Sequence, residues 1–296
     1  MDKHFHVVRG LSFLKRPGLE TYSIEYALDY QPLPWDRMLS AYPKSGNWLT
    51  INIVLSIMGD IQVGRYIPRD TYRKFWLGFR LPNELVDDIP VDRDGENCRF
   101  HATHLSMTHL AYNPGAKYLL LMRNPKDVCV SYHHHVKQKL KLDLDFHEFF
   151  KLWITGKDLP YGDYFTAIKS SWEHRKDSNC TLITYEEMLA NPRDSIVRIA
   201  SFLGTKYVHR LYGRCDDGGH GTGSSSDDIL LDRIIRETSF KAMKRNHEDK
   251  VHFRKGIVGD WRAVMTRDES DLIDARVRDE WMGTGLETLW EREMKW

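Results

Sequence analysis

Ala41-Tyr42-Pro43-Lys44-Ser45-Gly46-Asn47-Trp48-Leu49-Thr50 (AYPKSGNWLT, residues 41–50) is the stretch on which the fold turns. The apolar run Met38 to Tyr42 leads into it and reads as a strand. Trp48 to Met58 follows and reads as a helix closed by Gly59. A turn that opens a helix presents unpaired N–H groups, and the helix dipole favours negative charge there. Gly46 lets the backbone approach a ligand closely, and Lys44 adds a point charge. The spacing is not the G-x-x-x-x-G-K-[ST] of the common nucleotide loop. Taken alone, the stretch fits an ordinary strand-to-helix turn with a surface lysine just as well.

Further along, the pattern of strand and helix repeats. Asn97 to Thr103 reads as a strand, and KYLLLM (Lys117 to Met122) as a strand buried on both faces. Asp127 to Lys139 reads as a helix and CTLIT (Cys180 to Thr184) as a third such strand. Thr184-x-x-Glu187 and Thr266-x-x-Glu269 have the form of capping boxes. Asn191 is placed to cap a helix with Pro192 at its first position and Gly204 past its end. This alternation predicts an α/β fold: a single domain over residues 1–296 with a central parallel β-sheet flanked by helices. The Gly/Ser-rich segment DDGGHGTGSSSDD at 216–228 reads as a surface loop, for which a linker and a lid both fit.

Bulk properties narrow the function classes. The 296 residues are 41% apolar and 29% charged, a globular composition with enough length for a large core. A formal net charge of +1 gives no global field for nucleic acid or an anionic membrane, so any anion site must be local. Cys98, Cys129, Cys180 and Cys215 form no C-x-x-C pair, which fits a reducing compartment. MDKHFHVVRG contains no apolar signal core and no apolar run approaches a membrane span, so a cytoplasmic protein is expected. His133, His134 and His135 project roughly 100° apart on a helix and cannot converge on one metal ion. No metal site is expected.

Two further segments carry cations at strand or loop ends. In Arg123-Asn124-Pro125-Lys126-Asp127-Val128-Cys129-Val130-Ser131-Tyr132 a strand ends in an arginine able to grip a phosphate bidentately, and proline opens the next helix. Ser131 sits two turns into that helix. In Phe253-Arg254-Lys255-Gly256-Ile257-Val258-Gly259-Asp260-Trp261 adjacent cations precede two glycines three apart. Each alone reads equally as a solvated basic turn.

Together and in order, the three segments resemble the signature of the cytosolic sulfotransferases: P-K-S-G-T-T-W, then R-N-x-K-D-x-x-V-S-Y, then R-K-G-x-x-G-D-W. Thr103-His104-Leu105, Tyr185-Glu186-Glu187-Met188 and Thr238-Ser239-Phe240-Lys241-x-Met243-Lys244-x-Asn246 extend the resemblance over most of the chain. The resemblance implies a scaffold like the phosphate-loop nucleotide-binding proteins. It implies transfer of a sulfuryl group from 3′-phosphoadenosine 5′-phosphosulfate (PAPS) to a hydroxyl or amine of a small-molecule acceptor, leaving 3′-phosphoadenosine 5′-phosphate (PAP). By match, Lys44, Ser45, Gly46 and Asn47 would hold the 5′-phosphosulfate, and Trp48 would stack on adenine if the loop carries a one-residue deletion. Arg123 and Ser131 would bind the 3′-phosphate, with Arg254, Lys255 and Gly256 on its other side. Tyr185, Thr238, Ser239 and Phe240 would surround the adenine. His104 falls at the catalytic histidine, and a neutral imidazole suits removal of the acceptor's proton. Lys44 would stabilise charge on the leaving phosphate.

Departures from the pattern are equally specific. Gly46-Asn47-Trp48-Leu49 stands where the family has Gly-Thr-Thr-Trp, so either Trp48 or Leu49 occupies the stacking position. Ala102 replaces a lysine two positions before the histidine, and the loop between Asn246 and Phe253 is short. The family's dimer motif K-x-x-x-T-V-x-x-x-E is represented by Arg262, Thr266, Arg267 and Asp271, which leaves the oligomeric state open. Two rivals remain at this stage: a dehydratase working through a transient sulfate ester on the same scaffold, and a non-catalytic PAPS- or PAP-binding protein.

Overall fold

Lys117–Met122 is buried almost throughout, and it sits second from one end of a four-stranded parallel sheet. The computed structural model describes residues 4–15, 18–64, 68–79, 98–141, 143–157, 159–213, 229–246 and 255–296. Its sheet consists of β3 (Asp36–Ala41), β4 (Arg99–Thr103), β5 (Lys117–Met122) and β6 (Cys180–Thr184), in the order β4-β3-β5-β6. A separate antiparallel hairpin, β1 (Phe5–Val8) and β2 (Leu11–Leu14), precedes it; Arg9 and Gly10 turn it with φ of 50° and 80°. The hairpin has no counterpart in the sequence reading, because two strands of four residues give too little periodicity to see.

Helices cover both faces. On one face α2 (Asn47–Met58), α8 (Pro192–Leu203), α9 (Thr205–Leu211) and α10 (Leu230–Glu237) pack on Leu39, Leu119, Leu121 and Ile183. On the other, α4 (Pro125–Leu140), α5 (Phe146–Thr155), α6 (Tyr164–Glu173) and α12 (Arg267–Trp281) gather around Met122, Trp153, Trp261 and Trp281. The hairpin and α1 (Thr21–Asp29) close over Met38, Tyr118 and Leu120. Leu119 and Leu121 thus serve one layer while Tyr118, Leu120 and Met122 serve the other, the period-two alternation of a strand sandwiched between helices. The remaining helices are α3 (Arg69–Arg73), α7 (Tyr185–Ala190) and α11 (Phe240–Asn246). Both expected capping boxes form: Thr184 and Glu187 open α7, and Thr266 and Glu269 open α12. Asn191 and Pro192 begin α8 as expected, although the Asn191 side chain makes no cap bond.

The amino ends of β3 and β4 are pinned by a buried charge cluster. Asp36 and Arg99 are paired in register. The Asp36 carboxylate accepts from Arg99 Nε at 2.6 Å, the Tyr30 hydroxyl at 2.6 Å and the Leu33 amide at 2.7 Å. Burial raises the carboxyl's pKa, but His101, Arg99 and Tyr30 together outweigh that and hold it well below the usual carboxylate range. His133 is likewise structural, its Nε2 donating to the Leu144 carbonyl at 2.8 Å. Among the described residues no helix is long and apolar enough to cross a membrane.

Asp36 therefore carries a stability contribution with a defined sign. It is fully present above the unfolded carboxylate value of about 4 and is lost as the pH falls through the lower folded value. Asp36→Ala, which strands Arg99, is expected to lower unfolding free energy by about 3–5 kcal/mol in urea titrations at neutral pH. The deficit should shrink on acidification; a variant as stable as the parent at pH 7 would contradict the assignment.

Candidate active site

The carboxyl end of every strand in the sheet delivers a segment singled out by the sequence. β3 runs into Tyr42–Gly46, β4 into His104, β5 into Arg123 and β6 into Tyr185. β3 and β5 are neighbours whose chain connections leave in opposite directions along the sheet, and the crevice at such a reversal is where open α/β sheets bind ligands.

Arg123 ties these ends together. Its guanidinium donates to the Lys44 carbonyl at 3.1 Å and to the Ile257 carbonyl at 3.4 Å, and it lies 4.2 Å from the centre of the Tyr185 ring. Its own carbonyl accepts from the Tyr164 hydroxyl. The turn before α2 is tightly wound: Lys44 and Gly46 have φ of 70° and 113°. Only glycine fits at position 46, because a Cβ there would come within 2.7 Å of the Tyr185 ring.

The 255–261 loop is brought to the same place by Asp127. This carboxylate, at the start of α4, accepts from the Gly259 amide at 2.7 Å and the Trp261 amide at 3.2 Å. Asn124 caps α4 through the Asp127 amide, and Glu186 Oε1 accepts from both the Asn124 amide and its side chain at 3.0 Å. Burial pushes the Glu186 carboxyl's pKa up. Asp127, Asn124 and Glu186 were not picked out from sequence as site-forming, since their partners lie far away in the chain. The neighbouring Lys126 is turned elsewhere: its Nζ is buried against Ser270, Asp274 and the Met294 carbonyl, fastening α12 and the C-terminal segment to α4.

The other expected nucleotide residues arrive in part. Phe240 packs against Gly256, whose φ is 67° and whose added Cβ would overlap the ring at 2.1 Å. Thr238 and Ser239 donate their hydroxyl protons to the Ile234 and Arg236 carbonyls at the end of α10 and retain acceptor lone pairs. Ser131 is buried on α4. Lys255 Nζ is paired with Asp260 at 2.6 Å on a half-exposed side chain. Arg254 and the 216–228 segment lie outside the described residues. Of the degraded dimer motif, Thr266 caps α12 and Arg267 pairs with Asp271 at 3.2 Å.

His104 stands just past β4. Its Nδ1 is 2.8 Å from the Ala41 carbonyl and 3.0 Å from Asn47 Nδ2. The Ala41 carbonyl can only accept, so Nδ1 carries the proton, and an Asn47 amide turned by 180° would set Oδ1 in place of Nδ2 to accept from the same N–H. That orientation also gives a partner to the buried Asn47 Oδ1 and places the basic lone pair of the imidazole on Nε2. Trp76 and Tyr161 flank the ring at 4.4 and 4.9 Å between centroids. Trp48 lies flat on Tyr72, 3.6 Å between centroids and 9° between planes.

The cradle fits an anionic, acceptor-rich ligand on its own atoms. Ser45 Oγ and Arg123 Nε are buried with no hydrogen-bond partner among the described residues, beside a helix N-terminus and two glycines that admit no side chain. Orphaned donors of this kind call for an acceptor-rich ligand.

The Sulfotransferase domain family matches residues 34–285. Mouse (Mus musculus) sulfotransferase 1B1 is 29% identical over 306 residues, covering 96% of this chain and 94% of that protein. Rabbit (Oryctolagus cuniculus) amine sulfotransferase is 26% identical, covering 96% and 92%. The fold is shared with a mouse sulfotransferase solved with PAP (TM-score 0.72, 23% identity, 96% of each chain). It is shared also with retinol dehydratase solved with retinol and PAP (TM-score 0.67, 21% identity, 94% and 89%). With the family's domain matched over most of its length and the fold in agreement, this chain belongs to the sulfotransferase family.

Proposed function

We propose that residues 1–296 act as one cytoplasmic sulfotransferase domain, transferring the sulfuryl group of PAPS to a hydroxyl or amine of a small-molecule acceptor and releasing PAP. The observation that carries this reading is the Arg123 junction, where one guanidinium contacts the Lys44 turn, the Ile257 loop and the Tyr185 ring. Lys44, Ser45, Gly46 and Asn47 would hold the 5′-phosphosulfate. Arg123, Ser131, Arg254, Lys255 and Gly256 would hold the 3′-phosphate. Tyr185, Thr238, Ser239 and Phe240 would line the adenine, the two hydroxyls acting as acceptors toward its amino group.

When bound, PAPS supplies an electrophilic sulfur and a phosphate leaving group. His104, fixed through Nδ1 by Ala41 and Asn47, takes the acceptor's proton at Nε2. Lys44 offsets negative charge gathering on the departing phosphate without having to reorganise. Trp76 and Tyr161 keep the imidazole oriented and exclude water from one side of it.

Sulfate transfer from radiolabelled PAPS across phenols, catecholamines, sterols and alkanols tests the whole reading; PAP binding without transfer to any of them would leave only a nucleotide-binding protein. His104→Ala is expected to lower turnover by about 10²- to 10⁴-fold while PAP affinity, measured by calorimetry, stays within about twofold. Near-normal turnover in that variant would refute the base assignment. Gly46→Ala should weaken PAP about tenfold or more, because the new Cβ strains the backbone at φ 113° and meets the Tyr185 ring. Asp127→Ala, by releasing the Gly259 and Trp261 amides, should also weaken PAP, and an unchanged dissociation constant would show that the 255–261 loop holds its place without this carboxylate.

A further inference from the structure

We infer that Trp48 is a specificity-determining residue of the acceptor side and does not belong to the nucleotide site. The inference rests on the PAPS-dependent reading above and answers a question the sequence left open.

The argument is one of helix geometry. α2 begins at Asn47 and is regular from its first turn, with the Thr50 amide donating to the Gly46 carbonyl at 3.1 Å. Successive side chains therefore step by roughly 100° around the axis. Asn47 and Thr50, three residues apart, project roughly 60° from each other on neighbouring lines of that first turn. The Asn47 amide meets His104 at 3.0 Å, and the Thr50 hydroxyl lies 3.5 Å from Met188 Sδ. Met188 and Tyr185 stand together there: a Cβ on Gly46 would meet both, at 3.4 and 2.7 Å. The Thr50 side is thus the Tyr185 side, where the adenine is placed. Trp48 lies two residues before Thr50, roughly 200° away around the helix. It points across the axis from Tyr185.

What Trp48 meets on its own side completes the case. Its ring lies on Tyr72 at 3.6 Å; Tyr72 is 5.8 Å from Trp76, and Trp76 is 4.4 Å from His104. Tyr161 continues the series 4.9 Å beyond the imidazole. A row of rings therefore runs from Trp48 to the base that receives the acceptor's proton. Such a wall suits the flat apolar body of an acceptor whose hydroxyl or amine reaches Nε2. A Trp48 that stacked on adenine would need to leave Tyr72 and cross the helix.

The test compares PAP affinity, by calorimetry, with acceptor KM in the full-length protein and in Trp48→Ala. The acceptor is whichever member of the phenol, catecholamine, sterol and alkanol panel gives the parent its highest kcat/KM. The expected result is PAP affinity within about twofold of the parent and an acceptor KM raised about tenfold. Trp48→Leu, which keeps apolar volume against Tyr72, replaces the alanine variant if a thermal melt shows that variant unfolded. A fall of about tenfold or more in PAP affinity, as follows when an aromatic platform is removed from a base, overturns the inference, and so does an unchanged acceptor KM. If the parent itself binds PAP but transfers sulfate to nothing on the panel, the transferase reading fails and this inference with it; if the parent transfers normally, only the role of Trp48 is at stake.

Discussion

The placement of one guanidinium, that of Arg123, holds the site together. Three basic or glycine-bearing segments come from positions 44, 123 and 257, and none of them would define a pocket alone. Arg123 bonds to the backbone of the other two and packs on Tyr185. Its carbonyl is gripped by Tyr164 from below. A cation held this way costs little further entropy on meeting an anion, which is the condition for electrostatic recognition without reorganisation. Its Nε remains buried without a hydrogen-bond partner among the described residues, and such a group is expensive to keep unless a ligand meets it.

Behind Arg123 stands a layer of buried carboxylates with structural tasks. Asp127 accepts from two amides of the 255–261 loop, and Glu186 accepts from Asn124 and, through Oε2, from the Trp290 indole at 2.9 Å. These groups fix the loop, the start of α4 and the C-terminal segment relative to β5 and β6. Lys126 does the same for α12 through Ser270 and Asp274. The cationic face of the site is thus carried by a rigid anionic and hydrogen-bonded support, so the loop's position is set by the fold and not by the ligand alone.

The sheet was legible in the sequence where periodicity and punctuation agreed. Lys117–Met122 and Cys180–Thr184 have the bounds that their apolar runs suggested; β3 and α4 differ by a residue or two at each end, and α2 by one residue at its start. The site was legible as separate motifs: His104, Arg123 and the 44–47 turn do fall at strand ends. What could not be read was long-range. Nothing local marks Asp127 as the anchor of an amide 132 residues away, or Trp76 as the neighbour of His104. Lys126 was hidden for a related reason, because a lysine in a basic motif looks like a ligand contact until its buried partners on α12 are seen. The β1–β2 hairpin was invisible because its strands are too short to carry a pattern.

The altered loop shows how a lost hydroxyl can be offset by a different polar contact. Where the family pattern has threonine, Asn47 places an amide beside His104 Nδ1, while the adjoining turn holds Lys44 and the buried Ser45 hydroxyl. A threonine carries one polar atom on its side chain; asparagine carries an acceptor and a two-proton donor at opposite corners of one plane. Turned so that its oxygen accepts from the imidazole N–H, the same amide would present its amino group on its other side. The 44–47 turn and His104 are joined by this single side chain, so a rotation of the Asn47 amide disturbs both the imidazole's hydrogen bonding and the turn. Ala102 leaves no cation two residues before His104, and the ring is held by Ala41, Asn47 and the flanking Trp76 and Tyr161.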